Sequence, residues 1–87
     1  MKLNVYKNDI DWVIAENEED AWVVWHQMYG ENREDYEGEI VWEQLPDDQE
    51  LKLFDESEPN GHQKPTMKTC AQWIEKYGRT FLGSSEF

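Results

Sequence analysis

The run NEEDAWVVWHQMYG at residues 17–30 constrains this chain most, because a capping residue, an acidic first turn, a helical apolar face and a terminating glycine follow in order. Asn17 offers a side-chain oxygen to a first-turn N–H, and Glu18, Glu19 and Asp20 place negative charge beside the positive end of the helix dipole. Ala21, Val24, Trp25 and Met28 recur at helical spacing, with Trp22 and Tyr29 flanking them, and Gly30 suits the left-handed residue that ends a helix. A stripe of Trp, Met and Tyr at this spacing is read as core rather than as a partner groove. The other segments then read as sheet laid against this helix.

Residues 1–6 alternate, Met1, Leu3 and Val5 on one face and Lys2, Asn4 and Tyr6 on the other, which is a strand pattern. The turn formers KNDID precede the short apolar run WVIA, so residues 1–15 predict a hairpin, or one strand interrupted by a bulge. Residues 31–39, ENREDYEGE, lack apolar periodicity and predict an acidic surface loop whose one large ring is Tyr36. That ring either anchors a basic partner, stacked beneath an arginine, or folds back over the core.

IVWEQL at 40–45 and ELKLF at 50–54 predict two strands joined by PDDQ, in which proline presets φ and the aspartates bond their own backbone. An antiparallel hairpin is the expectation, with Ile40, Trp42, Leu51 and Leu53 inward. Val41 and Leu45 fall on the opposite parity, so both faces of the sheet have cover. Residues 55–65, DESEPNGHQKP, have the composition of a flexible loop. A second helix begins at Thr69, with Gln72 in capping-box spacing, Cys70, Trp73, Ile74 and Tyr77 on one face and Gly78 at its exit. RTFL at 79–82 completes the pattern as a last short strand, and 83–87 either pairs further or frays.

These readings give an α+β fold in the order β-β-α-β-β-α-β: a mostly antiparallel sheet of four or five strands with two helices on one face, forming a single domain over residues 1–87. Residues 25–30 and 73–78 share W-x-x-x-Y-G, each after an expected hairpin, so two related ββα halves are the alternative to a chance coincidence.

Chemistry-bearing motifs are sparse, and no catalytic, cofactor-binding or metal-binding residues are assigned. Asp47, Asp48 and Glu50 crowd a turn without the spacing or interior glycine of a calcium loop. His26 and His62 stand alone and are expected to face solvent. Cys70 belongs to a packed helix face, has no histidine partner, and as a single cysteine forms no internal disulfide. With neither a signal peptide nor an apolar run of membrane-spanning length, the expected location is the cytoplasm.

Charge is the more informative quantity. The chain of 87 residues carries 20 acids against 8 bases, a net of -12, and residues 31–58 hold twelve of the acids and two of the bases, or -10 of the -12. Such a field repels nucleic acid and anionic membrane and attracts basic protein surfaces. It also serves the solubility of a small, aromatic-rich domain.

The closing segment KTCAQWIEKYGRTFLGSSEF resembles the end of small uncharacterised bacteriophage and prophage proteins, through Trp73, Ile74, Gly78, Arg79, Phe81, Leu82, Ser85, Glu86 and Phe87. Thr80 and Gly83 depart from that pattern. The resemblance covers about the last quarter of the chain and implies an origin more than an activity. Origin and charge together predict a small acidic accessory protein in the host cytoplasm. It would bind a basic surface of a host or phage protein, a nucleic-acid-mimicking inhibitor being one form. The alternative is a structural or assembly protein acting through self-association, such as a homodimer paired through an edge strand. An enzyme is the least favoured class. The expected protein-binding residues are Glu34, Asp35, Tyr36, Glu37, Asp55, Glu56 and Glu58. The expected β hairpin would separate them from Asp47 and Asp48 by roughly 17 to 20 Å.

Overall fold

The structure, a computed structural model, describes residues 2–54 and 65–84. Asp55, Glu56, Glu58 and His62 lie outside the described residues, as do Ser85, Glu86 and Phe87 at the end of the chain. The elements are β1 (Asn4–Lys7), β2 (Asp11–Ala15), α1 (Glu18–Tyr29), a 3-10 turn (Arg33–Asp35), β3 (Glu43–Leu45), β4 (Glu50–Phe54), β5 (Pro65–Thr69), α2 (Cys70–Tyr77) and β6 (Thr80–Ser84). The expected α+β class and element order hold, with one strand, β5, added before the second helix.

Both helices begin and end where their local chemistry dictates. The Asn17 side chain accepts the Asp20 N–H at 2.8 Å, and Gly30 closes α1 at φ 70°, donating to the His26 carbonyl. In α2 the capping box is complete: the Thr69 hydroxyl accepts from Gln72 N at 3.2 Å, and the Gln72 side chain accepts from Thr69 N at 2.8 Å. Gly78 ends that helix at φ 68° and ψ -160°, donating to the Ile74 carbonyl. The shared W-x-x-x-Y-G therefore performs one local task twice, setting Trp25 against Tyr29 at 5.4 Å between ring centres and Trp73 against Tyr77 at 5.8 Å.

The main sheet has the order β3-β1-β2-β6, all neighbours antiparallel, while β4 and β5 form a separate antiparallel pair. This corrects the expected hairpin of residues 40–54. Three residues of β3 take the open edge of β1, pairing Val5 with Leu45, and β4 pairs instead with residues 65–69. The Pro46 turn redirects the chain between layers: the Asp47 and Gln49 carbonyls accept from Ala71 and Cys70, so residues 46–49 sit on the first turn of α2. Residues 65–69, read from sequence as the end of a loop and a helix start, become a strand because β4 offers them a ladder. Pro65 stands at the first position, where its missing N–H costs least.

Alternation along β1 and β2 sends side chains to both faces, and both faces are covered. Tyr6, Val13 and Ala15 pack with Ala21, Trp22, Val24 and Trp25 of α1 and with Trp42. Val5 and Ile14 point the other way and pack with Leu45, Leu51, Leu53, Cys70 and Trp73. The two helices thus lie on opposite faces of the main sheet rather than on one, and Tyr6 belongs to the core beneath α1. Trp42 and Leu45, of opposite parity, are buried in the two different clusters, while Val41, ahead of β3, is 75% exposed.

On α1 the buried stripe runs through Ala21, Trp22, Val24 and Trp25, and Met28 is 57% exposed. Relative to the expected stripe, Trp22 joins it and Met28 leaves it, while Tyr29 is 42% exposed at its end. The cause is tertiary: Trp22 meets Trp42 edge-on at 5.8 Å, and Tyr29 meets Phe81 of β6 at 5.6 Å.

Candidate functional site

Residues 31–40 are built, not slack. They cross the end of α1, where the His26 ring nitrogen Nδ1 lies 2.6 Å from the Glu31 carbonyl, and a 3-10 turn at Arg33–Asp35 bends the chain back toward the core. Arg33 fastens the segment. Its guanidinium lies 5.2 Å from the centre of the Trp22 ring, binds both carboxylate oxygens of Glu19, and pairs through Nε with Glu37 at 2.6 Å. Hydrogen bonding to Arg33 holds the Glu19 carboxyl below its ordinary range, and the same bond raises the guanidinium above its own.

Tyr36, next in the chain, is half-buried with its ring 5.1 Å from Trp25 at 66°. The sequence offered two roles for this ring, and it lies against the core.

Between this crossing segment, the end of α1 and the β1–β2 turn opens a cavity of about 420 Å³. Trp25, Tyr29 and Tyr36 supply aromatic walls, and Ile40 adds an aliphatic one. Asn8, Asp9, Ile10 and Asp11 come from the turn, and Glu31 and Glu39 from the crossing segment. Among the described residues no lysine or arginine lines it. Its size falls in the ordinary range for ligand pockets.

The turn is held by Asn8, whose side-chain oxygen accepts from Ile10 N at 2.9 Å and Asp11 N at 2.7 Å, while Asn8 N donates to the Asp11 carbonyl at 3.0 Å. That geometry leaves Asp11 only 1% exposed. Its carboxylate accepts the Tyr29 hydroxyl at 2.8 Å and, at 3.5 Å, the Asn8 side-chain amide.

Of the expected binding residues within the described chain, Tyr36 alone lines this cavity. Glu34 and Glu37 border a separate depression of about 540 Å³ with His26, Asn32 and Arg33, and Asp35 is exposed. Asp9, Asp11, Glu31 and Glu39 were not singled out from the sequence. The available signal was Asp11, which shares its parity with the inward residues Val13 and Ala15 and so reads as a carboxylate turned toward the helix.

The acidic turn at 46–49 lies elsewhere and has a structural account. Asp47 pairs with Lys2 at 2.8 Å, and its carbonyl caps α2. Cys70, buried there, has its thiol pushed up to about 11 by burial and by the nearby Asp47 and Asp48 charges, so it stays protonated at neutral pH.

Among the described residues no group of three or more His, Cys, Asp or Glu side chains could hold a metal ion, and no helix is long and apolar enough to cross a membrane. No family model, curated protein or solved structure matches the chain.

Proposed function

We propose that this protein is a non-catalytic acidic binding module that occupies a basic surface of another protein. In the setting that its C-terminal resemblance implies, the partner is a host or phage protein in the cytoplasm, and the acidic face competes with nucleic acid for it. One observation supports this most. Both arginines of the chain are committed internally, Arg33 to Glu19 and Glu37, and Arg79 to Asp20. Glu31, Glu34, Asp35 and Glu39 are exposed, and among the described residues none of them is paired with a lysine or arginine. Unneutralised carboxylates on one short segment focus a negative potential that steers and orients a basic partner.

The test is titration with oligolysine and affinity capture from host lysate, each at low and high salt. Binding should weaken steeply with salt. Neutralising Glu34, Asp35, Glu37, Asp55, Glu56 and Glu58 together should weaken it and flatten its salt dependence. Neutralising Asp47, Asp48 and Glu50 should do less to binding and more to stability, since Asp47 holds Lys2 beside α2. Unchanged affinity of the six-residue variant at low salt would leave solubility as the account of the charge.

A second reading, self-association, is favoured by the outer face of the β4–β5 pair, where Phe54 and Met67 are exposed. A molar mass that rises with concentration is its signature.

A further inference from the structure

We infer that the cavity between the β1–β2 turn, the end of α1 and residues 31–40 is a receptor for the side chain of an arginine on the basic partner, an inference that rests on the binding role proposed above. Three observations on separate elements converge there. The first is the arrangement of rings. Trp25 stands between Tyr29, 5.4 Å away at 51°, and Tyr36, 5.1 Å away at 66°, so the three planes form angled walls rather than a stack. Trp25 is 4% exposed and forms the floor behind the other two, so Tyr29 and Tyr36 are the rings that present π faces and edges to an inserted cation.

The second is Asp11. A carboxylate has about four acceptor positions, and this one, almost fully buried, is served by two neutral donors, the Tyr29 hydroxyl at 2.8 Å and the Asn8 amide at 3.5 Å, the latter at the limit of a hydrogen bond. Among the described residues each of its oxygens has one donor and neither donor is charged, so a guanidinium seated in the cavity would be the first cation to meet this carboxylate. The third is the rim, where Glu31 and Glu39 add exposed negative charge on the side from which a partner would enter.

A guanidinium fits this set better than an ammonium. It is planar, lies against aromatic faces, is weakly hydrated and forks its N–H groups onto carboxylates, whereas an ammonium is compact and costly to desolvate. The chain already shows the chemistry on itself: Arg33 lies over Trp22 while Glu19 and Glu37 hold its nitrogens. The cavity repeats that combination of indole and carboxylates without an arginine of its own.

The experiment is an NMR titration of the full chain with three blocked tripeptides, Gly-Arg-Gly, Gly-Lys-Gly and Gly-citrulline-Gly, the last having the arginine shape without its charge. Oligolysine serves as a fourth probe. The arginine peptide should shift the Trp25 indole and the Tyr29 and Tyr36 ring resonances saturably, binding about tenfold more tightly than the citrulline peptide and several-fold more tightly than the lysine one. Asp11→Asn should weaken it about tenfold. Should that buried substitution fail to fold, Tyr36→Ala and Glu39→Gln at the cavity mouth decide, each expected to weaken the arginine peptide by about threefold or more. Equal binding of arginine and citrulline peptides, equal binding of arginine and lysine peptides, or indifference to both mouth variants overturns the inference. Salt-sensitive oligolysine binding that leaves the cavity resonances unmoved keeps the acidic-module reading and removes this one. Absence of oligolysine binding removes the broader reading, and the arginine arm then decides the cavity on its own.

Discussion

Arg79 grips Asp20 across the fold: its Nε lies 3.0 and 2.8 Å from the two carboxylate oxygens, and an outer nitrogen lies 2.6 Å from one of them. The carboxylate belongs to the first turn of α1 and the guanidinium to the residue before β6, so the pair ties the helix start to the last strand. Asp20 also accepts the Glu16 N–H at 3.0 Å, closing the turn that leads from β2 into the helix.

The Arg79 hydrogen bonds hold the Asp20 carboxyl below its ordinary 3.8. A depressed folded-state value contributes stability that is fully present above the unfolded value and is lost as pH falls through the folded one. The melting temperature should therefore drop on acidification below about pH 4, and more shallowly in Asp20→Asn. At neutral pH that variant should lose about 1 kcal/mol, since the pair is only partly shielded from solvent. Melting curves from pH 7 to pH 2 for both proteins check the sign, and parallel curves would contradict it.

The tryptophans divide by depth and by hydrogen bonding. Trp25→Ala and Trp73→Ala should each cost about 3–5 kcal/mol, a large share of a small domain's stability, and Tyr36→Ala about 1. A finer comparison uses phenylalanine. Trp73 donates its indole N–H to the Leu51 carbonyl at 3.2 Å, whereas the buried indole N–H groups of Trp42 and Trp12 have no acceptor among the described residues. Trp73→Phe should therefore be the more destabilising by about 1 kcal/mol over Trp42→Phe, as measured by urea denaturation.

Gly30 and Gly78 look alike in sequence and differ in what they demand. Gly30, at φ 70° and ψ 10°, occupies the left-handed helical region, which asparagine tolerates, while Gly78, at φ 68° and ψ -160°, occupies a region reserved for glycine. An added Cβ meets nothing within 4 Å at either site, so any cost is backbone strain. Gly30→Asn should cost less than about 1 kcal/mol and Gly78→Asn about 2 or more, read from thermal melting.

Cys70 should resist alkylation in the folded protein at pH 8 and react when denaturant exposes it, because burial and the Asp47 and Asp48 charges keep it a thiol. The raised value also means that its contribution to stability is present below the unfolded thiol range and is lost as pH rises toward about 11. Alkylation followed by mass spectrometry, with and without urea, tests the first point. Rapid labelling of native protein would contradict it.

Sequence alone determined the features whose physics closes within a few residues. The Asn17 and Thr69 caps, the glycine exits, the acidic first turn of α1 and the burial of Trp25 and Trp73 all follow from groups one to four positions apart. Tertiary structure decided everything that required a choice among partners. Residues 43–45 and 50–54 carry strand patterns equally able to pair with each other, and the open edge of β1 together with residues 65–69 captured them instead. That competition between distant edges is invisible to local periodicity. The same holds for the faces of the sheet: alternation showed that both had cover but not which helix lay on which side, and Met28 was displaced from the packed stripe by where Trp42 and Phe81 happened to meet α1. The cavity is the extreme case. Its walls come from residues 8–11, 25–29 and 31–40, and Asp11 acquires its setting only when the Asn8 turn buries it and the Tyr29 hydroxyl arrives from 18 residues away. A carboxylate beside an apolar run is an ordinary strand end in sequence, and becomes a candidate binding group only through the long-range packing that takes water from it.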